Sequence, residues 1–407
     1  MDPGHVILLL AGLLLLALLI QPLARRLHLP FTAILVLAGF VASEALVRSG
    51  IDTGIRAGNF HDLVFFVFLP VLIFESAYTI DARLLLKNLI AVLFLAIPLM
   101  LLSTLITAVL VYAGIAHPTG FPWIAAFLTG ALLSATDPVA VVALFRQMGA
   151  PERLTVLLEG ESLFNDATAI VVFGVIIALA TGSGDALTYP QAVLHFCRVF
   201  FGGALVGAAT GLVFLGITRL LGDVITRALA TVIAAYLAFV LAESWLHVSG
   251  VMAVLVTGLI LGRSTGSDNS RQNGFVQTLW KFNAYVANAL VFLLMGVTIT
   301  LDMFSERWLA MLIGIAGVLV ARAIGIFTFV PLLTRITPVE PVPRSYQVVM
   351  FWGGLRGAVT LALALSLPTD LDYWWTIQSI AFGVVLFTLF AQATTTGALL
   401  RHYRLNN

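Results

Sequence analysis

Between residues 157 and 173 the chain reads LLEGESLFNDATAIVVF, which sets Glu159, Glu161 and Asp166 in an otherwise apolar stretch that continues to Ala180. On a helix, Glu159, Ser162 and Asp166 are spaced i, i+3 and i+7 and share one stripe. Glu161 and Asn165, four apart, form the neighbouring stripe. One face thus gathers carboxylate, hydroxyl and amide oxygens, hard ligands of the kind that suit a small alkali cation. Asp166 falls thirteen residues into its apolar run. An ionised acid at such a depth costs about 2.5–3.5 kcal/mol on insertion scales, so its default reading is functional. The plainer alternative is that the acids only pair with Arg322 and Arg356, which also fall deep inside apolar runs. Four acids (Asp137, Glu159, Glu161 and Asp166) facing two arginines leave at least one without a fixed positive partner. A proton or a metal ion can neutralise such a group. Asp166 is the candidate for that role, and Glu161 is as well suited to an arginine bridge.

Two further segments join this one. In LLSATDPVAVVALF, 132–145, Pro138 removes a backbone N–H and disfavours helical geometry at Asp137. A helix interrupted inside a membrane exposes carbonyls and amides, which are tolerated only where they line a cavity. Counted from the turn near Ala150, Asp137 is thirteen residues in and Asp166 sixteen. These counts correspond to about 20 and 24 Å, similar depths on adjacent antiparallel helices. In FWGGLRGAVTLALALSLP, 351–368, three glycines surround Arg356, the composition of a helix that breaks or packs very closely. A last acid, Glu75 in FLPVLIFESAY, either snorkels toward an interface or offers a ligand from the side.

These residues need a membrane-spanning scaffold, and the composition supplies one. The 407 residues are 60% hydrophobic and 10% charged, with a mean hydropathy of +1.06, which places the chain among polytopic membrane proteins. A net charge of +1 and no basic run longer than Arg25-Arg26 argue against nucleic-acid binding. One cysteine, Cys197, excludes a disulfide framework and a multi-cysteine metal site. The seven histidines sit mostly at the ends of apolar runs, which weakens any enzyme reading, and no cofactor is expected. The first run, Val6 to Ile20, lacks the basic flank and cleavage site of a signal peptide and reads as a retained helix.

Thirteen apolar runs are long enough to span: roughly 5–24, 30–48, 61–79, 87–114, 121–147, 153–180, 191–219, 224–246, 248–263, 276–300, 308–333, 343–367 and 374–400. The odd-numbered connections and the C-terminal tail hold fifteen of the twenty-one Lys and Arg residues, the even-numbered ones only Arg48, Arg56 and Arg307. That alternation predicts an outside N-terminus and a cytoplasmic C-terminus. Little remains between the spans, so one transmembrane domain covering 1–407 without a soluble regulatory domain is expected. It divides into a first repeat at about 5–180, a linking helix at about 191–219 and a second repeat at about 224–400. The interrupted span is fifth in each six-helix repeat, and an odd link inverts the second repeat. Paired interrupted helices in inverted repeats point to a secondary transporter's binding site, here with spans 5 and 12 crossing at mid-membrane.

Five segments in order, FLPVLIFES (68–76), SATDPVAVVALF (134–145), LLEGESLFNDATAIVVF (157–173), ARAIGIF (321–327) and GGLRGAVTLALALSLP (353–368), resemble the cation/proton antiporter superfamily, in its sodium/proton branch of the NhaP type. The resemblance implies that Asp166 carries ion and proton in turn. It implies sodium ligands at Glu75, Thr136 (by its backbone carbonyl), Ser162 and Asp166, with Asp137 acting through water. Asn165 would support the crossing, and Glu161 would bridge Arg322. A homodimer embedded in lipid of the plasma membrane and electroneutral exchange, given a single acid in Asn165-Asp166, are implied as well. Potassium/proton exchange and sodium-coupled uptake of an organic anion are the remaining alternatives. A passive channel would lack proton coupling.

Overall fold

The computed structural model describes residues 3–27, 29–48, 63–115, 120–180, 189–221, 223–263, 270–337 and 339–405, and helix is the only regular structure among them. Arg56, His28, His61, His117 and the middle of the 263–275 connection lie outside the described residues.

Helices α1 (Pro3–Leu27) and α2 (Phe31–Arg48) open the chain. A π turn at Leu63–Phe68 leads into α3 (Leu69–Thr79), and short α4 (Ala82–Lys87) follows, its first amides capped by the Asp81 carboxylate. The run 87–114 divides into α5 (Leu89–Ala96) and α6 (Pro98–Gly114). Pro98 disfavours helical geometry at the residue before it, and Ile97 departs to φ −116°, ψ −75°. The fifth run is α7 (Trp123–Ser134) and α8 (Val139–Met148), separated by residues 135–138. Then come α9 (Glu152–Ala180) and α10 (Tyr189–Leu220). Next are α11 (Val224–Val240) with a π turn at Leu241–Trp245, α12 (Gly250–Arg263) and α13 (Ser270–Thr298). Helix α14 (Leu301–Ile324) continues through a π turn at Gly325–Phe329 into α15 (Val330–Ile336). The twelfth run is α16 (Arg344–Trp352) and α17 (Ala358–Leu365). Finally α18 (Trp374–Phe387), a π turn at Thr388–Gln392 and α19 (Ala393–His402) form one long rod.

Eight described stretches are long and apolar enough to cross a membrane, and four shorter apolar helices fall where runs 1, 2, 3 and 9 were expected. The expected interruptions in runs 5 and 12 are present. The eleventh run begins earlier than its hydropathy suggests, at Leu301 rather than near 308. Asp302, Ser305, Glu306 and Arg307 make that first turn read as a loop, yet extended Thr300 ends the preceding segment. Arg307 leaves helical geometry (φ −123°, ψ 15°) and donates from Nε to Thr376 Oγ1 at 3.1 Å, which anchors the bend.

The chain clusters into two compact units, each drawing on both halves of the sequence. One comprises Met1–Val64, Leu101–Pro151 and Val286–Asn407, the other Phe65–Met100 and Glu152–Tyr285. Neither relies on large side chains alone. In lipid the hydrophobic effect does not drive helices together, and small residues that let backbones meet take its place. In the first unit Gly39 of α2 faces Gly296 of α13, and a methyl on either would strike the other helix's main chain at Leu293 or Val36. The Ser43 hydroxyl donates to Val297 O at 3.0 Å alongside. In the second unit Gly203 and Gly207 of α10 lie against the carbonyls of Ser249 and Ala253 beside α12, and Thr257 Oγ1 donates to Gly207 O at 3.0 Å. Helix α3 packs on the other side of α12, with Trp280 fully buried against Phe74 at a ring separation of 4.2 Å. The indole N–H of Trp280 donates to Thr231 Oγ1 at 2.9 Å.

Candidate functional site

Where the fifth and twelfth runs break, two stretches of main chain meet. Helix α7 ends because Ala135 turns extended (φ −60°, ψ 135°) ahead of the Asp137-Pro138 pair, and α8 starts again at Val139. Helix α16 ends at Trp352, and five residues later Gly357 (φ −146°, ψ −138°) opens α17. The Asp137 N–H donates to Leu355 O at 2.9 Å, joining the two breaks directly.

Each break creates a helix C-terminus with orphan carbonyls and a helix N-terminus with orphan amides. The dipole makes the first kind of end negative and the second positive. The charged residues singled out by sequence are distributed accordingly. Asp137 serves both N-termini: Oδ1 accepts from Val139 N at 3.0 Å at the head of α8, and Oδ2 accepts from Ala358 N at 3.3 Å at the head of α17. Arg356 serves the end of α7 by donating from Nε to Leu133 O, and it also donates to Gly354 O. Arg322 serves the end of α16, donating from Nε and Nη2 to Met350 O at 3.3 and 3.0 Å. Arg356 is 1% exposed and Arg322 is likewise buried. One acid and two arginines thus neutralise four half-helix ends.

Two glycines make this possible by close approach. A methyl on Gly354 would sit 2.9 Å from Arg322 Nε, so the bare glycine lets that guanidinium lie against the break. A methyl on Gly357 would overlap Asp137 Oδ2 and lie 2.5 Å from its Cβ and Cγ. Thr388, from the π turn between α18 and α19, adds a third support, its hydroxyl accepting from Arg356 N at 3.1 Å. Buried Thr136 lies in the first break, on the residue before Asp137.

The other candidate residues belong to the second compact unit. Helix α9 is unbroken, and along it Glu161, Ser162 and Asn165 are buried while Asp166 is half-buried. Glu75 is half-buried on α3, which packs alongside α9. A helix carrying an acid, a hydroxyl and an amide in its protein-covered interior, then an acid that is only partly covered, has polar oxygen ligands available at the margin of the covered region. The structure therefore places Thr136, Asp137, Arg322 and Arg356 in one unit, and Glu75, Glu161, Ser162, Asn165 and Asp166 in the other. The sequence reading missed Gly354 and Gly357 as individual supports, although the glycine cluster was conspicuous. It missed Thr388 altogether, because a threonine in an apolar run carries no distinguishing signal.

Known proteins resemble this chain in sequence and in fold. A family model described as the transmembrane sodium/hydrogen exchanger matches residues 12–402. The Na(+)/H(+) antiporter ApNhaP of Aphanothece halophytica is 36% identical over 373 residues, covering 90% of this chain and 68% of that protein. The Na(+)/H(+) antiporter NhaH of Halobacillus aidingensis is 30% identical over 388 residues, covering 92% of each. The structure of the sodium proton antiporter MjNhaP1 from Methanocaldococcus jannaschii superposes with a TM-score of 0.83 over 98% of both chains at 21% identity, a likeness of fold. With its broken helices, compensated helix ends and acid-bearing α9, the chain is a multi-pass membrane protein that belongs to the sodium/hydrogen exchanger family of transporters.

Proposed function

We propose that this chain exchanges sodium for protons across the membrane, one for one, with both ligands competing for the Asp166 carboxylate. The observation that carries the proposal is the half-buried Asp166 following buried Glu161, Ser162 and Asn165 on one unbroken helix. In this mechanism Ser162, Glu75 and the Thr136 carbonyl share the sodium ion with Asp166, and Asp137 acts through water. Antiport follows because Asp166 without a proton or cation is a desolvated charge, which makes passage of the empty site costly. One proton against one monovalent cation moves no net charge. Exchange falls at low pH, where protons hold the site on both faces, and at high pH, where the return step lacks protons.

The remaining features of the proposal are architectural. Residues 1–407 form one transporter domain of inverted repeats, about 5–180 and 224–400, linked by the helix at about 191–219. Asn165 steadies the crossing and Glu161 bridges Arg322. The protein acts as a homodimer in the plasma membrane, N-terminus outside and C-terminus in the cytoplasm, where it serves pH homeostasis as a transporter rather than an enzyme. The test is proton flux in proteoliposomes on addition of sodium, with a potassium gradient and valinomycin setting the voltage. Sodium-driven flux that ignores voltage and is absent in Asp166→Asn supports the proposal. Flux driven by potassium in place of sodium moves the assignment to potassium/proton exchange. Absence of proton flux with sodium-dependent solute uptake moves it to a symporter.

A further inference from the structure

Between α18 and α19 the last long rod does not run as a regular α-helix: it passes through a π turn at Thr388–Gln392. Such a turn inserts one residue into the helical register, costs hydrogen-bond quality, and occurs frequently at functional sites. Thr388 stands at its start. Thr388 is buried, its hydroxyl donates to Val385 O at 2.9 Å, and it accepts from the backbone N–H of Arg356 at 3.1 Å. Arg356 lies inside the interruption of the twelfth run, where its amide has no regular helix around it.

We propose that Thr388 is a positioning residue for the exchange reaction, holding the Arg356–Ala358 backbone so that Arg356 and Asp137 keep their places at the broken helices. This rests on the functional reading above. The chain of contacts is short. The Thr388 hydroxyl fixes the Arg356 amide, and the Arg356 side chain satisfies Leu133 O at the end of α7. One residue further, Gly357 lies directly against the Asp137 carboxylate, and one beyond that the Ala358 amide donates to it. Rotation of the Arg356–Gly357 segment therefore moves a buried cation and an acid's hydrogen-bond donor together. A hydroxyl is suited to the task because it donates into its own helix while accepting from the break, which no aliphatic side chain can do. Thr388 stands where α18 passes into the π turn, its own N–H still bonded to Val384 O and Val385 O.

The test compares wild type with Thr388→Val, which keeps the shape and removes the hydroxyl, and with Thr388→Ser, which keeps the hydroxyl. Thr388→Ala repeats the loss with less crowding in case the valine protein does not fold. Hydrogen–deuterium exchange of peptides covering 353–361 reads the backbone without any need for transport. Sodium-driven proton flux across pH reads the consequence. The expected result for Thr388→Val is amide exchange at 355–358 faster by about tenfold, turnover lower by a similar factor, and a displaced pH profile. Thr388→Ser stays within about twofold of wild type in all three. Unchanged amide exchange in Thr388→Val overturns the proposal. So does lost protection with normal turnover and pH profile, and so does a folded Thr388→Ser protein as impaired as the valine variant. If wild type shows no sodium-driven flux, the functional reading fails, while the amide measurement still decides whether Thr388 holds the break.

Discussion

Gly357→Ala is the most searching single perturbation of the broken helices. A methyl there overlaps Asp137 Oδ2 and approaches Asp137 Cβ and Cγ to 2.5 Å, well inside contact distance. The obstacle is not a flexible tip that can swing aside, because Asp137 is tied by its own amide to Leu355 O at 2.9 Å. The carboxylate must withdraw, and in doing so it releases Ala358 N and Val139 N, now 3.3 and 3.0 Å away. A buried donor left unsatisfied costs about 1–3 kcal/mol, so releasing both costs about 2–6 kcal/mol. The assay is thermal or denaturant unfolding of the purified protein, run as a double-mutant cycle with Asp137→Gly. Glycine is required at 137 because an alanine there would retain the Cβ that the new methyl meets. In the Asp137→Gly background the added cost of Gly357→Ala should fall below about 1 kcal/mol, leaving a large coupling between the sites. A Gly357→Ala protein as stable as wild type, or an equal cost in both backgrounds, would refute the reasoning.

Other perturbations test separate links. Asp166→Asn should abolish sodium-driven proton flux in proteoliposomes while leaving the unfolding temperature near that of wild type; retained exchange removes Asp166 from its proposed role. Arg356→Met leaves Leu133 O and Gly354 O without their donor, at roughly 1–3 kcal/mol for each buried group left unsatisfied, measured as lowered unfolding stability in detergent. Trp280→Phe removes the bond to Thr231 Oγ1 but keeps an aromatic ring against Phe74, so about 0.5–1.5 kcal/mol should be lost with exchange unaffected. Gly207→Ala drives a methyl into Ala253 O and should destabilise by about 1–3 kcal/mol through overpacking.

Much of the fold was legible because lipid imposes a blunt code. Long apolar runs became helices, the fifth and twelfth runs, with Asp-Pro and a glycine cluster at mid-length, became broken ones, and the fourth divides at Pro98. Asp-Pro at 137–138 and Gly-Gly-Leu-Arg-Gly at 353–357 announced their geometry through backbone chemistry, which sequence displays directly. Part of what those charges hold was not legible. Arg322 and Arg356 looked like partners for acids, and the structure adds a role that this reading did not contain, since each donates to a backbone carbonyl, Met350 O and Leu133 O. A carbonyl is present at every residue, so only the fold reveals which ones are orphaned. The same reasoning explains Thr388, whose contact with the Arg356 amide no residue pattern marks. The early start of α14 was hidden for the opposite reason, since polar residues at a helix end resemble a loop.

The seam between α10 and α12 has a practical consequence for watching this protein work. Where Gly203 and Gly207 lie against the Ser249 and Ala253 carbonyls, backbone touches backbone. At these two points the nearest atom is a main-chain oxygen, which has no rotamer to exchange. Such a junction has one spacing, and a pair of spectroscopic labels bridging it should report the same separation at every pH and sodium concentration. It offers a ruler with a fixed zero, built into the molecule, against which any distance that does change can be calibrated.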